Sequence, residues 1–204
     1  QVFCLDILHQ TKDHPDHTGE LVPFIFASKY PQNYRRRLPL TMIGATGLAF
    51  FYEGLGNVYG DWINLGDSML EIIELSNSLP DSLSLSFADI YTLPMAHTEN
   101  SIGYRLETSG GITIVYTGDT DYCRGVVDLS MNADLLVCES ALPDGMKVDG
   151  HLTPSIAGQI ATEAKVKHLV LNHFYPECED VDIEQQCRKT YAGQLTLGRD
   201  LLEI

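Results

Sequence analysis

Short apolar runs alternate with polar, glycine-marked segments along the whole chain. Positions 40–43, 69–75, 82–91, 103–107, 112–116, 135–138 and 167–171 are rich in Val, Ile, Leu, Thr and Tyr, and predict strands. Gly110-Gly111, between two of these runs, predicts a hairpin turn. The intervening segments follow a helical pattern. Thr18 is placed to cap a helix running to Tyr30, with Glu20 and Leu21 in its first turns. Positions 46–62 read as an amphipathic, aromatic-rich helix followed by a loop. Thr153 or Ser155 caps a helix through Ala164, another helix covers 182–191, and 194–204 is a closing strand or helix. Strands alternating with helices indicate an α/β protein with a mixed sheet. Without repeats or linkers, 1–204 reads as a single domain.

Composition narrows the picture. The chain has 204 residues, 44% hydrophobic and 20% charged, which suits one globular domain with a substantial core. No apolar run reaches membrane-spanning length, so no membrane span is expected, and no signal peptide is visible. Five cysteines (4, 123, 138, 178 and 187) form no CxxC pair. Cys4 and Cys138 stand in apolar stretches as buried thiols. The expectation is a reducing, cytoplasmic setting with no disulfide framework. Thirteen Lys and Arg against 28 Asp and Glu give a net charge of −15, which disfavours nucleic acid as a partner. The one basic run, Arg35-Arg36-Arg37 after Tyr34, reads as a solvated loop in preference to a phosphate site.

Three segments carry candidate chemistry. Asp13-His14-Pro15-Asp16-His17 puts two imidazoles and a carboxylate within five residues. Tyr116-Thr117-Gly118-Asp119-Thr120 and Leu171-Asn172-His173-Phe174 place an Asp and a His just after apolar, β-branched runs. Side chains at the ends of neighbouring strands can converge on one point. Imidazole and carboxylate hold zinc, manganese or iron while leaving a position open for water. Asp16 and His17 are adjacent, so a loop is expected to aim both at one site, and Pro15 favours that. His97 stands between 93–95 and a strand and is a further candidate. His168, at a strand start next to Lys167, reads as a structural or surface residue. Glu139 and Ser140 follow a strand end, where they could line the cleft, and carry no assigned role.

Taken in order, these segments resemble the metallo-β-lactamase superfamily, and within it the branch of RNase Z and related phosphodiesterases. Residues 13–21 resemble the superfamily's His-x-His-x-Asp-His motif and the helix after it. Met95-Ala96-His97-Thr98, followed by 103–107, is similar to the next metal His and its strand. Thr117-Gly118-Asp119-Thr120 resembles the bridging-Asp motif, His151-Leu152-Thr153 the His-x-Thr element, and Leu171-Asn172-His173-Phe174 the last ligand motif. The resemblance implies a four-layer αβ/βα sandwich. It implies two divalent metal ions, zinc first, with manganese or iron as alternatives. His14 and His97 would serve one ion, Asp16, His17 and His173 the other, and Asp119 both.

Lys12 stands where the motif has its first His. A protonated Lys cannot ligate a cation. Either the first metal position is degenerate, or residues native to the chain are missing around this point, or His9 fills the vacancy. The glycine-rich turn and strands with which the family opens are not present before the motif.

The implied reaction is hydrolysis of a phosphodiester by a metal-bound hydroxide. Asp16 would ligate and orient that hydroxide, and His151 would protonate the leaving oxygen or steady developing charge. A small or cyclic phosphodiester is the expected substrate. The tRNA 3′-processing activity of the branch uses a long arm between the positions of His97 and Asp119, and here that interval is 22 residues. A non-catalytic metal-binding homologue is the rival suggested by Lys12. Flavodiiron-like redox chemistry ranks last because no flavin domain is visible. Phe50-Phe51-Tyr52 fits a homodimer interface and a core position equally well.

Overall fold

The computed structural model describes residues 7–30, 36–66 and 68–204. Cys4, Tyr34 and Arg35 lie outside the described residues. The chain divides into two compact units, 1–76 and 77–204.

In the first unit three parallel strands lie side by side in the order β1 (Ile7–His9), β2 (Leu40–Ala45), β3 (Leu70–Leu75). Parallel neighbours need crossover connections, and helices supply them. They are α1 (Pro15–Thr18), α2 (Leu21–Lys29) and α3 (Leu48–Tyr59), the last continued by a 3₁₀ turn, Gly60–Trp62. Leu21, Ile25, Leu40, Met42, Leu48 and Ile63 form the core of this unit. Thr18 is not the expected cap. Pro15, well suited to a first helical position, starts a helical turn earlier, and Thr18 closes that turn by donating from Oγ1 to the His14 carbonyl at 3.0 Å. For the same reason Asp16 and His17 stand on a short helix and not on the expected loop. Arg36 also departs from expectation. It is buried, its amide bonded to the Ser28 carbonyl at 2.9 Å, while Arg37 is exposed, so the basic run is not simply a solvated loop.

The second unit is built on a seven-stranded sheet in the order β10-β9-β8-β7-β6-β5-β4. Strands β4 (Asp81–Ser84), β5 (Ala88–Pro94), β6 (Ile102–Thr108) and β7 (Thr113–Tyr116) form an antiparallel meander. The expected single strand over 82–91 is therefore two, joined by a turn in which the Leu85 amide donates to the Ala88 carbonyl. The Gly110-Gly111 turn between β6 and β7 is as expected. From β7 the sheet continues in parallel through β8 (Leu135–Glu139), β9 (His168–Asn172) and β10 (Gln194–Leu197). The crossovers are α4 (Arg124–Ser130), α5 (Pro154–Glu163) and α6 (Ile183–Arg188). Helix α6 is capped by Asp182, whose side chain accepts from the Gln185 amide at 2.8 Å. Val115, Leu136, Cys138, Leu169 and Leu171 of the sheet pack with Val126, Leu129, Ala157, Ile160 and Ala161 of the helices. Cys123, Cys138, Cys178 and Cys187 are free thiols, and burial pushes Cys187 up to about 11.

The topology sets one edge of this sheet apart. β5 and β7 are both antiparallel to β6, and β7, β8 and β9 are mutually parallel. All four therefore end on the same side. Ligand sites in such sheets lie outside the carboxyl ends of the strands.

Candidate metal centre

Each of these four strand ends delivers a polar side chain. His97 follows β5, Asp119 follows β7, Glu139 is the last residue of β8, and His173 follows β9. Asp119 is reached through Gly118, which turns the chain with φ of +59°. His173 itself has φ of +58°, a left-handed conformation uncommon for a residue with a side chain. A fifth group, His151, comes from the loop between β8 and α5.

These groups converge. Among the described residues, His97, Asp119 and His151 can present ligand atoms that all lie within 4.8 Å of one another, and so can Glu139, His151 and His173. Asp119 is 2% exposed. Its carboxylate oxygens lie 3.5 Å from His173 Nδ1 and 4.0 Å from His151 Nδ1. The His97 and His151 rings are 4.8 Å apart between centroids, and the His151 and His173 rings 5.4 Å. Tyr175 lies edge-on to His173 at 5.6 Å. A buried carboxylate among imidazoles is a donor set suited to a divalent cation, so the residues present fit such an ion.

Two of the imidazoles have their tautomer set by what they touch. His97 Nδ1 lies 2.8 Å from the Gly150 carbonyl, which can only accept, so Nδ1 carries the proton and Nε2 the lone pair. His151 Nδ1 donates to Glu139 Oε1 at 2.9 Å in the same way. Glu139 is 1% exposed and accepts from backbone as well. Oε1 takes the Thr120 amide at 2.8 Å, and Oε2 takes those of Leu152 at 2.9 Å and Ala141 at 3.2 Å. From the sequence this residue stood after a strand end, able to line the cleft, and had no role assigned. The available signal was its place at the end of an apolar strand, the same setting as Asp119 and His173.

The surroundings are also electrostatically marked. Burial pushes the Tyr116 phenol up, and the nearby Asp119 and Glu139 carboxylates add to it against a hydrogen bond with Asn172. Burial alone would raise the Asp121 carboxyl. Hydrogen bonds from Lys147 and from the Tyr122 and Gly150 amides outweigh it and hold that group below the ordinary range.

His14, Asp16 and His17 lie in the first unit. His14 is the N-cap residue of α1, with φ of −64° and ψ of 148°. Asp16 Oδ2 is 3.3 Å from His17 Nε2 and 4.0 Å from Lys12 Nζ, and Lys12 is 3% exposed. The Gln10 side-chain amide donates to the carbonyls of Lys12 at 2.5 Å and His17 at 3.2 Å, tying this turn together. His9 lies on β1, and burial lowers its imidazole below the ordinary histidine range. His168 bonds Thr196 Oγ1 at 2.9 Å across β9 and β10, the expected structural role.

A family model described as a beta-lactamase superfamily domain matches residues 66–174. A ribonuclease Z of Streptomyces avermitilis is 38% identical over 104 residues, 48% of this chain and 35% of that protein. The chain thus spans about a third of that relative's length. Among solved structures, the metallo-β-lactamase fold protein YhfI of Bacillus subtilis is similar over 96% of this chain and 75% of its own, with a TM-score of 0.77 at 23% identity. The short form of human tRNase Z is similar over 99% and 79%, with a TM-score of 0.77 at 21% identity. At such identities the structures speak for the fold, which is the metallo-β-lactamase fold expected from the motifs. No helix among the described residues is long and apolar enough to cross a membrane. With the family model covering more than half of its length and a ribonuclease Z among its relatives, the chain belongs to the metallo-β-lactamase superfamily, in its RNase Z and phosphodiesterase-like branch.

Proposed function

We propose that the protein is a metal-dependent hydrolase acting on small or cyclic phosphodiesters. The observation that carries this reading is the buried Asp119 among His97, His151 and His173 at the carboxyl ends of β5, β7 and β9. A divalent cation bound there would acidify a water and offset negative charge on a phosphoryl group. Of the ligands assigned to two such ions, this unit would supply His97 to one, His173 to the other and Asp119 to both. His14, Asp16 and His17 are assigned as further ligands on their motif alone, with Asp16 also orienting the attacking water.

His151 supplies the acid. Its Nδ1 proton is committed to Glu139, so Nε2 is the atom that exchanges a proton with the leaving oxygen. A histidine suits this work because its ordinary pKa is close to neutrality. Glu139 holds the ring in one orientation, in the manner of the carboxylate of a hydrolytic triad. The residues would hold a cation that supplies charge neutralisation and an acidified water, while His151 and Glu139 supply positioning and leaving-group assistance.

The ribonuclease Z relative supports a second reading, cleavage of precursor tRNA. Two features favour the small substrate. Between His97 and Asp119 the chain forms only β6, β7 and their turns, leaving no room for a tRNA-gripping arm. The net charge is −15, and tight binding of a polyanion requires clustered cations. The direct experiment strips metal from the protein with a chelator, restores Zn²⁺ or Mn²⁺, and follows release of p-nitrophenol from bis(p-nitrophenyl) phosphate. Metal-dependent turnover is expected. Full metal binding with no turnover of any diester would reject the catalytic reading.

A further inference from the structure

Asp121 and Lys147 have half-buried side chains and hold none of the candidate ligand atoms of the histidine cluster, yet the cluster is bonded through them. The Asp121 amide donates to the carbonyl of Ala96, the residue before His97, at 2.8 Å. Asp121 Oδ2 accepts from the Gly150 amide at 3.1 Å and from Lys147 Nζ at 2.7 Å, and Oδ1 accepts from the Tyr122 amide at 2.7 Å. Lys147 Nζ also donates to the Val148 carbonyl at 2.6 Å. The Gly150 carbonyl then takes the proton of His97 Nδ1 at 2.8 Å. The path Ala96, Asp121, Gly150, His97 is a closed ring of covalent and hydrogen bonds.

Gly150 fits this ring for two reasons. Its φ is +83°, a conformation that residues with side chains rarely adopt, and a Cβ there would stand 3.0 Å from His97 Nδ1. A side chain on this Cα would crowd the imidazole, and its absence lets the carbonyl approach at this distance. The next residue is His151, so the loop that fixes one imidazole also carries the other.

We propose that Asp121, with Lys147 as its ion-pair partner, is a positioning residue that fixes His97 through Gly150, so that Nε2 is the ring nitrogen presented to a cation. The use made of Nε2 rests on the metal reading above; the positioning itself does not. Outer partners of this kind orient a ligand and choose its tautomer, and their loss typically weakens metal binding ~10–100-fold. The pair is still open to solvent on one side, which limits what it adds to stability, so its removal should change geometry more than folding.

The test uses the full chain, labelled with ¹⁵N-histidine and free of metal, with ring-nitrogen chemical shifts read by NMR. In the parent, His97 should be the Nδ1–H tautomer. In Asp121→Ala, its nitrogens should move toward the average of the two tautomers, while His168, bonded to Thr196, keeps its shifts. Asp121→Asn retains an acceptor for the Gly150 amide and should move His97 less. Zinc affinity, measured by competition with a chromogenic chelator, should fall ~10–100-fold in Asp121→Ala and less in Asp121→Asn. Should Asp121→Ala not fold, Lys147→Met on the exposed side of the pair is expected to give the same, smaller displacement. Unchanged His97 shifts in a folded Asp121→Ala, or in Lys147→Met where that variant has to stand in, would overturn the proposal. Displaced shifts with no zinc binding by the parent would uphold the positioning and reject the metal reading.

Discussion

His151 Nδ1 donates to Glu139 Oε1 at 2.9 Å, and the Glu139 carboxylate is almost wholly removed from solvent. Three backbone amides, those of Thr120, Ala141 and Leu152, fill its remaining acceptor directions. The pair therefore joins the turn after β7, the end of β8 and the His151 loop. A change at Glu139 should register in folding as well as in chemistry. Glu139→Gln puts an N–H where an acceptor is needed, and a buried group left unsatisfied costs about 1–3 kcal/mol. The expected result is a lowered midpoint in urea unfolding, together with reduced hydrolysis. Unchanged stability would mean that this network is not as closed as the distances indicate.

His151→Ala separates acid–base help from metal binding. The variant should retain its metal and lose ~10²–10⁴-fold in turnover, the usual worth of a positioned acid. Elemental analysis and the diester rate are measured on the same preparation. Parallel loss of metal and activity would make His151 a ligand, a role its place beside His97 and Asp119 also permits. An unchanged rate would leave it as a helix-flanking residue before α5.

Asp119→Ala should be the most damaging single change at the cluster. Its carboxylate is buried within 3.5 Å of His173 Nδ1 and 4.0 Å of His151 Nδ1, and it is the one carboxylate assigned to both metal positions. Most bound metal and nearly all hydrolysis should disappear, while circular dichroism stays that of the parent. Undiminished metal per chain would remove Asp119 from the ligand set.

Much of the second unit was legible in the chain because its strands are short apolar runs and its chemistry sits directly after them. His97, Asp119 and His173 could each be read from such a position. What stayed hidden depends on backbone. Helix α4 contains Gly125, Val126 and Val127, a glycine and two β-branched residues with weak helical preference, and is held by the burial of Val126, Val127 and Leu129. Glu139 is made functional by amides from three separate segments, and Asp121 by a loop 29 residues further on. The strand end marks the place of Glu139 but not its partners, and no local pattern announces Asp121. The cap assigned to Thr18 failed because Pro15 starts a helical turn first, a competition between two valid local signals.

Lys12 bears on how many cations the protein holds. It is buried, and its amine lies 4.0 Å from Asp16 in the turn that also carries His14 and His17. The motif is thereby one imidazole short and one positive charge richer. The metal position assigned to His14 on its motif should bind weakly and empty first on dialysis, leaving about one tight equivalent per chain. Lys12→His should tighten the second. Two tight equivalents in the unaltered protein would show that Lys12 does not weaken the site.

The substrate class is decided by assaying a small diester and a precursor tRNA side by side at moderate salt. The diester should turn over with Zn²⁺ or Mn²⁺, because the cluster provides charge neutralisation and the His151 acid without requiring an extended binding surface. The precursor should not be matured. Engaging tRNA means neutralising several phosphates, and each contact made by Lys or Arg lowers affinity further as salt rises. This chain has 13 such residues against 28 acids. Of its one basic run, Arg36 is buried, which leaves still less cationic surface than composition suggests. Efficient precursor cleavage that persists as salt is raised would overturn the small-substrate reading and place the protein with the tRNA-processing members of its branch.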